Sequence, residues 1–187
     1  VKMEGCRLCP RQCGAKREEG QTGACGVSGP GTLAARAALH KWEEPCISGK
    51  TGSGTVFFSG CPLRCVYCQN YRISGAEAGK RISRERLARI FLELQEKGAA
   101  NINLVTPTHY TPQIILAVKE ARGLGLSVPI VYNCGGYEEV ETLRTLEGIV
   151  DVYLTDFKYM EEDAAARYSH APDYPQTAKA ALAEMVR

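Results

Sequence analysis

Three cysteines, Cys61, Cys65 and Cys68, fall at C-x3-C-x2-C spacing within Ser59-Gly60-Cys61-Pro62-Leu63-Arg64-Cys65-Val66-Tyr67-Cys68-Gln69-Asn70. They follow directly on Thr55-Val56-Phe57-Phe58, a short apolar run that reads as a buried strand. Iron–sulfur clusters are held by thiolates, and one compact loop at a strand end can aim three sulfurs at three irons of a cubane. With three thiolates on offer the fourth iron keeps an open position, which marks a reactive site rather than a closed structural one. The same cysteines also admit a zinc site one ligand short, or a disulfide with a spare thiol. The spacing and the strand before it favour the cluster.

A second set, Cys6, Cys9, Cys13 and Cys25, follows C-x2-C-x3-C-x11-C spacing, with a charged loop from Lys16 to Gly20 inside it. Four thiolates this close can close a tetrahedral zinc site or hold a second Fe–S cluster, and ligand type alone does not choose between them. A segment with so few large apolar residues otherwise lacks a reason to fold. The alternative is a loose, reducible arm whose cysteines bind nothing. Residues 1–45 are therefore expected to form a cysteine-rich metal-binding module, ahead of a body spanning 46–187.

The chain has 187 residues, 44% of them hydrophobic and 24% charged, enough for one sizeable core plus a small appendage. A net charge of +2 with both signs interspersed predicts no strong field for nucleic acid or a membrane surface. No apolar run approaches the roughly 18 residues of a membrane span, and no secretory signal opens the sequence. Nine cysteines in such a chain point to metal rather than disulfides, and a cytoplasmic location is expected.

From Thr55 onward the sequence is periodic. Ser83 is placed to cap a helix whose Leu87, Ile90, Phe91 and Leu94 share one face, ended by Gly98. Ile102–Val105 reads as a strand. Thr111-Pro112 reads as a cap followed by proline at the first helical position, with Ile114, Ile115, Val118 and Ala121 on the buried face. Val128–Tyr132 is the next strand, Glu138–Leu146 a helix, and Val152–Thr155 a fourth strand. The last three strands recur about every 25 residues with a helix between each pair, the pattern of a parallel α/β sheet. Earlier, Thr32–His40 fits a strand or a helix equally. His40 and Trp42 are expected to pack where module and body meet, Cys46 to be a buried free thiol, and Ser48–Gly54 to be a loop.

About four strand–helix units are too few for a closed eight-stranded barrel of about 250 residues. Val1 stands where Met is expected and Ala178–Arg187 reads as a helix without a cap. The sequence is thus expected to be incomplete at its C-terminal side, leaving Val152–Thr155 as a raw edge prone to self-association.

Parallel sheets place functional residues at the carboxyl ends of their strands. These ends are the three cysteines, then Thr106-Pro107-Thr108-His109-Tyr110, then Asn133-Cys134-Gly135-Gly136-Tyr137, then Asp156-Phe157-Lys158. All four tips are polar.

With the aromatic Tyr67 before its last cysteine, the C-x3-C-x2-C motif resembles the signature of the radical S-adenosylmethionine (radical SAM) enzymes. The wider phrase from Gly52 to Cys61, continuing to Cys68-Gln69-Asn70, is similar to the branch of pyruvate formate-lyase activating enzyme relatives. The resemblance implies a partial (β/α) barrel and a 4Fe–4S cluster on Cys61, Cys65 and Cys68. Its open iron would chelate S-adenosylmethionine, which one electron cleaves to methionine and a 5′-deoxyadenosyl radical that abstracts hydrogen from a substrate. An oxidoreductase of this kind would take a protein or small-molecule substrate and an electron donor such as flavodoxin or ferredoxin, with no nucleic acid or membrane as partner.

The resemblance also sorts the tips. It puts Tyr67 beside the cofactor, Lys158 against the cofactor carboxylate with Asp156 nearby, and Asn133 at a ribose hydroxyl or the methionyl group. At the second tip the family usually carries Gly-Gly-Glu-Pro, and this chain departs from it. Thr106 and Thr108 are then the acceptors for an ammonium, and His109 a candidate facing substrate. Cys6-Arg7-Leu8-Cys9-Pro10-Arg11 is the opening expected of this branch, which strengthens the reading of a second metal centre on Cys6, Cys9, Cys13 and Cys25. Two other readings are a non-catalytic iron–sulfur electron-transfer or sensor protein and a zinc-stabilised interaction module.

Overall fold

The computed structural model describes residues 5–187. In chain order the elements are β1 (Thr32–His40), α1 (Pro45–Ser48), β2 (Ser53–Phe58), α2 (Tyr71–Ser74), β3 (Lys80–Ile82), α3 (Arg84–Glu96) and β4 (Ile102–Val105). They continue with α4 (Thr111–Gly123), β5 (Ile130–Cys134), α5 (Val140–Arg144), β6 (Val152–Thr155), α6 (Glu162–Ser169) and α7 (Tyr174–Met185). The strands make one sheet in the order β3-β1-β2-β4-β5-β6. β2, β4, β5 and β6 run parallel, each followed by helix, which gives a mixed α/β architecture of the partial (β/α) barrel kind. The cysteine-rich segment precedes this sheet.

Alternation along the strands gives the sheet two unlike faces. Val56, Phe58, Ile102, Leu104 and Ile130 are buried in one apolar core with Leu87, Phe91 and Leu94 of α3 and Ile114 and Val118 of α4. The registers Thr55↔Asn103↔Val131 and Phe57↔Val105↔Asn133↔Leu154 run along the opposite, inner face, where polar groups stand among the apolar ones. Burying the helix-side row of one strand sends the alternate residues to the other side. The same pattern that builds the core therefore also builds the inner face.

Thr32–His40, which fits strand or helix by sequence, is β1, antiparallel to β2 with a register irregularity between Ala34 and Arg36. Its first residues also pair with β3. Alanines have little preference for a strand, and here the open edge of β2 decides the matter through tertiary pairing. The sheet thus takes in residues that the expected 1–45 division assigned to the cysteine-rich module.

Several local expectations are corrected. Trp42 is 90% exposed and does not pack at a join, and His40 is only half-buried. Cys46 is exposed rather than a buried thiol, because it lies on the outer side of the one-turn helix α1 whose Ile47 and Ser48 point inward. Residues 49–52 form the expected turn, while Ser48 ends that helix and Ser53 and Gly54 already belong to β2. Thr111 is the first residue of α4, not its cap, and its hydroxyl donates back to Thr108 O at 2.9 Å. Ser83 does cap α3, accepting from the Arg86 amide at 3.2 Å. α5 is shorter than the 138–146 expectation. α6 had no sequence prediction, and α7 begins four residues before the expected terminal helix. β6 is the outermost strand of the sheet.

Gly54 shows how closely β2 is packed. A Cβ there would lie 2.9 Å from both Ala99 Cβ and Asn101 O, and 3.1 Å from Leu94 Cβ. Gly54→Ala is expected to lower unfolding stability by about 1–3 kcal/mol through overpacking. Urea titration of the two proteins side by side checks this, and unchanged stability would show that α3 can move away at no cost.

Candidate active site

The cysteine loop leaves β2 through Ser59 and Gly60, and its entry is fixed by the backbone. Ser59 O accepts from His109 Nε2 at 2.8 Å and from the Tyr110 hydroxyl at 3.3 Å, and the Ser59 hydroxyl donates to Ala78 O. Gly60 N donates to Ile73 O at 2.8 Å and Cys61 N to Cys25 O at 3.1 Å. Gly60 has φ of 87°, and a Cβ on it would sit 2.4 Å from Val27 Cγ2 and 2.8 Å from Cys25 O. Only glycine meets both demands.

Past that point the loop turns through Arg64, at φ of 50°, whose amide points at Cys61 Sγ at 3.5 Å. A Cys68 N to Cys65 O bond of 3.1 Å closes the next turn, and Val66 N donates to Tyr168 O at 2.9 Å. Arg11, from the cysteine-rich segment, clamps the loop from outside. Its Nε donates to Pro62 O at 2.9 Å and its terminal nitrogens to Ser169 O and His170 O.

Cys61, Cys65 and Cys68 are free and partly buried. Burial pushes the Cys61 thiol up to about 11; the Arg64 and Leu63 amides pull it back, while the neighbouring Cys65 and Cys68 push it further. Three thiolates crowded into one half-buried loop repel one another, and a cationic centre bound between them would relieve that repulsion. Cys61 and Cys65 pack against an apolar wall that includes Leu63, Tyr137, Tyr159, Tyr174 and Phe157. Donor type and the apolar wall on one side fit an iron–sulfur cluster, whose irons take one thiolate each.

The other tips gather at the same end of the sheet. Lys158 Nζ lies 2.6 Å from Asp156 Oδ2, and its stem lies so close over Gly135 that a Cβ there would meet Cε at 3.2 Å and Leu63 Cδ2 at 3.6 Å. Burial works against the Lys158 charge, but Asp156, with Cys65 and Tyr67 nearby, outweighs it and holds the ammonium above its ordinary range. Tyr67 is 56% exposed and meets Tyr159 and Tyr168 edge-on. Thr106 takes a left-handed φ of 56°, which a β-branched residue rarely adopts, and donates its amide to Asn133 O at 2.9 Å. Asn133 Nδ2 is 3.5 Å from Glu43 Oε2.

Two candidates stand elsewhere than expected. Thr108 is 1% exposed and gives its hydroxyl to Glu138 Oε1 at 2.7 Å, so it does not face an open site. His109 is also 1% exposed, packed on Tyr110, and its placement is that of a structural side chain. Burial lowers its pKa to about 4, the Ser59 bond offsetting this in part and Arg17 adding to it, so the ring is neutral at pH 7. Since Ser59 O can only accept, Nε2 carries the proton and Nδ1 is left as a buried acceptor without a partner.

The N-terminal cysteines cluster without converging. Cys9 and Cys25 are buried, Cys6 is partly so and Cys13 is exposed. Burial drives Cys9 up to about 12; the Arg11 amide offsets this, while Cys6 and Cys25 add to it. For Cys13 burial acts upward as well, but the Ala24 and Ala15 amides outweigh it and the thiol is held below its ordinary range. The position of a Cβ on Gly23 lies 3.4 Å from Cys25 Sγ and 3.6 Å from Cys13 Sγ. Among the described residues, Cys61, Cys65 and Cys68 included, no three His, Cys, Asp or Glu side chains come together closely enough to hold a single metal ion.

Glu138 and Glu43 escaped the sequence reading. Glu138 is fully enclosed beneath the β5 tip, accepting from Thr108 and from the Tyr132 hydroxyl at 3.0 Å. Burial raises its carboxyl to about 7, with Thr108, Tyr132 and Cys134 offsetting part of the shift. An acid just after Gly-Gly at a strand tip was the available signal. Glu43, beside an exposed tryptophan in a connection, gave none.

The model of the Radical SAM superfamily matches residues 55–186. The chain is 31% identical over 179 residues to an uncharacterized protein of Methanocaldococcus jannaschii, a match covering 92% of this chain and 51% of that protein. It is 26% identical over 135 residues to a pyruvate formate-lyase-activating enzyme of Clostridium pasteurianum, covering 67% and 54% respectively. The chain thus spans about half the length of the curated relatives it matches. No solved structure matches it.

Because the folded pKa of Glu138 lies above the unfolded value, its contribution to stability is full below about pH 4.5 and is lost as pH rises through about 7. The wild type is expected to lose about 3 kcal/mol more than Glu138→Gln between pH 4.5 and 8. Chemical unfolding across that range measures it, and parallel curves would mean that Glu138 does not carry the dependence.

Proposed function

The chain belongs to the radical SAM superfamily, and from that membership we propose that Cys61, Cys65 and Cys68 hold a 4Fe–4S cluster serving reductive cleavage of S-adenosylmethionine. The observation that carries this reading is three free thiols on one pinned loop at the carboxyl end of β2, ringed by the tips of β4, β5 and β6. When bound, the cluster supplies one-electron cleavage of the sulfonium, giving a 5′-deoxyadenosyl radical able to take hydrogen from a substrate.

The chain's own residues do the rest. Lys158, held charged by Asp156 and braced over Gly135, donates to the cofactor carboxylate. Asn133 and the strained Thr106 present polar groups beside it, and Tyr67 offers an aromatic face. The wall of Leu63, Tyr137, Phe157, Tyr159 and Tyr174 excludes water that would quench a radical. Similarity to a pyruvate formate-lyase-activating enzyme supports hydrogen abstraction from a protein or a small molecule, fed by an electron donor such as flavodoxin or ferredoxin. No helix among the described residues is long and apolar enough to cross a membrane. We also propose a second metal centre, zinc or Fe–S, on Cys6, Cys9, Cys13 and Cys25. The shared neighbourhood of these thiols supports it.

Anaerobic iron–sulfide reconstitution, followed by electron paramagnetic resonance with and without S-adenosylmethionine, tests the reading. Cys61→Ala, Cys65→Ala and Cys68→Ala are each expected to abolish 5′-deoxyadenosine production; its persistence in all three would sink the cluster assignment. Lys158→Ala is expected to keep the cluster signal and weaken cofactor binding by about 10–100-fold, or about 1.5–3 kcal/mol. An unchanged dissociation constant would return Lys158 to a surface ion pair.

Cys9→Ser tests the second centre. It should lower total metal content while leaving the catalytic cluster signal in place. Equal metal content in variant and wild type would remove the second centre.

A further inference from the structure

β1 keeps part of one edge open. β2 pairs with it along Ala34–His40, while on its other side β3 covers only Thr32, Leu33 and Ala34. The chain enters β3 through Gly79, at φ of 116°, just after Ala78 O has been tied to the Ser59 hydroxyl, so nothing before Lys80 runs on along β1. Among the described residues no other strand meets that edge. The direction of the open backbone groups follows from β2. Gly54 N donates to Asn101 O and Ala100 N to Gly52 O, both at 2.9 Å, so the even-numbered residues of β2 turn their backbone groups toward β4. Ala37 and Leu39 stand opposite Val56 and Gly54, in pairs that exchange no ladder bond. Their N–H and C=O groups therefore face the open edge. The register is regular from Arg36 to His40, which makes this stretch a straight template for another strand.

Beside this edge runs a groove of about 490 Å³, between β1, β3 and α3. Ala37, Ile82 and Ile90 line it with Arg36, Lys80 and Arg86, and no acid does. By register Lys80 shares a face with Ala34 and Phe58, and Arg36 the opposite face with Phe57. A strand laid along β1 thus meets a cation on each of its two faces. Arg86 is already paired with Glu93. Arg36 and Lys80 make no ion pair among the described residues. Two residues beyond the end of β1, Trp42 is 90% exposed, a large aromatic of the kind that anchors interfaces.

We propose that the open edge of β1 is a docking site for an extended acidic segment of a partner protein, which adds to the sheet as a further strand. The N–H and C=O groups of Ala37 and Leu39 bond its backbone, and its acidic side chains meet Arg36 on one face and Lys80 on the other. A second copy of this chain is a poorer occupant. Pairing two β1 edges brings the cations of both copies together, and like charges across a ladder repel. The charges that keep copies apart therefore admit a partner of opposite sign. The site lies on the side of the sheet away from β6 and does not depend on the radical SAM chemistry.

The probe is a short capped peptide alternating valine with glutamate, labelled for fluorescence anisotropy, with the valine–lysine peptide as control. The glutamate peptide is expected to bind and to slow hydrogen exchange at the Ala37 and Leu39 amides, and the lysine peptide to bind at least about tenfold more weakly. Arg36→Glu combined with Lys80→Glu should reverse that preference. Ala37→Pro removes an N–H that bonds nothing within the chain, so it should weaken the glutamate peptide about tenfold while leaving the thermal midpoint near that of the wild type. Should Ala37→Pro fail to fold, the exchange measurement and the charge reversal still decide. No binding of the glutamate peptide, or binding without protection at Ala37 and Leu39, overturns strand addition. Equal affinity for the two peptides overturns the acidic partner. Sedimentation showing self-association that Ala37→Pro abolishes overturns it as well, in favour of a second copy.

Discussion

The carbonyl of Ser59 is the fixed point of the molecule. It follows the last residue of β2, and two side chains from the β4 tip, His109 and Tyr110, converge on it from within the core. One residue later the backbone needs a left-handed turn in a space that admits no Cβ. One further on, the Cys61 amide is held by the backbone of Cys25. The first sulfur is therefore positioned by core packing, by glycine geometry and by the cysteine-rich segment together. A loop carrying three thiols gains its chemistry from where it points, and here little of that aim is left to the loop itself. Arg11 reaches across to Pro62 and so couples the N-terminal segment to the same loop from the solvent side.

Electrostatics divides the two faces of the sheet as sharply as packing does. On the helix side Glu138, the one enclosed acid among the described residues, is met by two hydroxyls, and its burial is offset in part by those bonds. On the inner side Glu43 is met by side-chain amides rather than hydroxyls, at the longer distance of 3.5 Å from Asn133 Nδ2. Full pairing of a buried polar group rigidifies a core, and incomplete pairing leaves the group available to something that arrives later. Glu138 is fully enclosed, whereas Glu43 keeps 14% of its side chain exposed.

Much of this was legible in the sequence because the signals were local. Ile102–Val105 and Val152–Thr155 read as strands from β-branched apolar runs, Ser83 read as a cap, and the strand-end rule brought Cys61, Asn133 and Lys158 to one end of the sheet. What escaped depends on distant partners. Thr32–His40 could not be decided because alanines favour no strand until the edge of β2 supplies one. Trp42 looked like a packing residue by type, but its connection turns it outward. Glu43 carries no motif, and it reaches the inner face because Asn101, far along the chain, anchors the helix that follows it.

The β4 tip shows how a departure in sequence becomes a redistribution of roles. Thr106-Pro107-Thr108-His109-Tyr110 reads as a row of ligand-facing groups, yet most of it is occupied. Thr108 serves Glu138, and His109 and Tyr110 serve Ser59. Thr106 alone stays at the rim, in a strained conformation sustained by its bond to the β5 backbone. The tip spends its side chains on aiming the cysteine loop and carries no acid of its own. Glu43, delivered from the β1–β2 connection, brings an acid to the inner face, where it accepts from Asn133 Nδ2. Loop positioning and negative charge, which a single acidic strand tip could combine, are thus carried here by separate elements, the β4 tip and the β1–β2 connection.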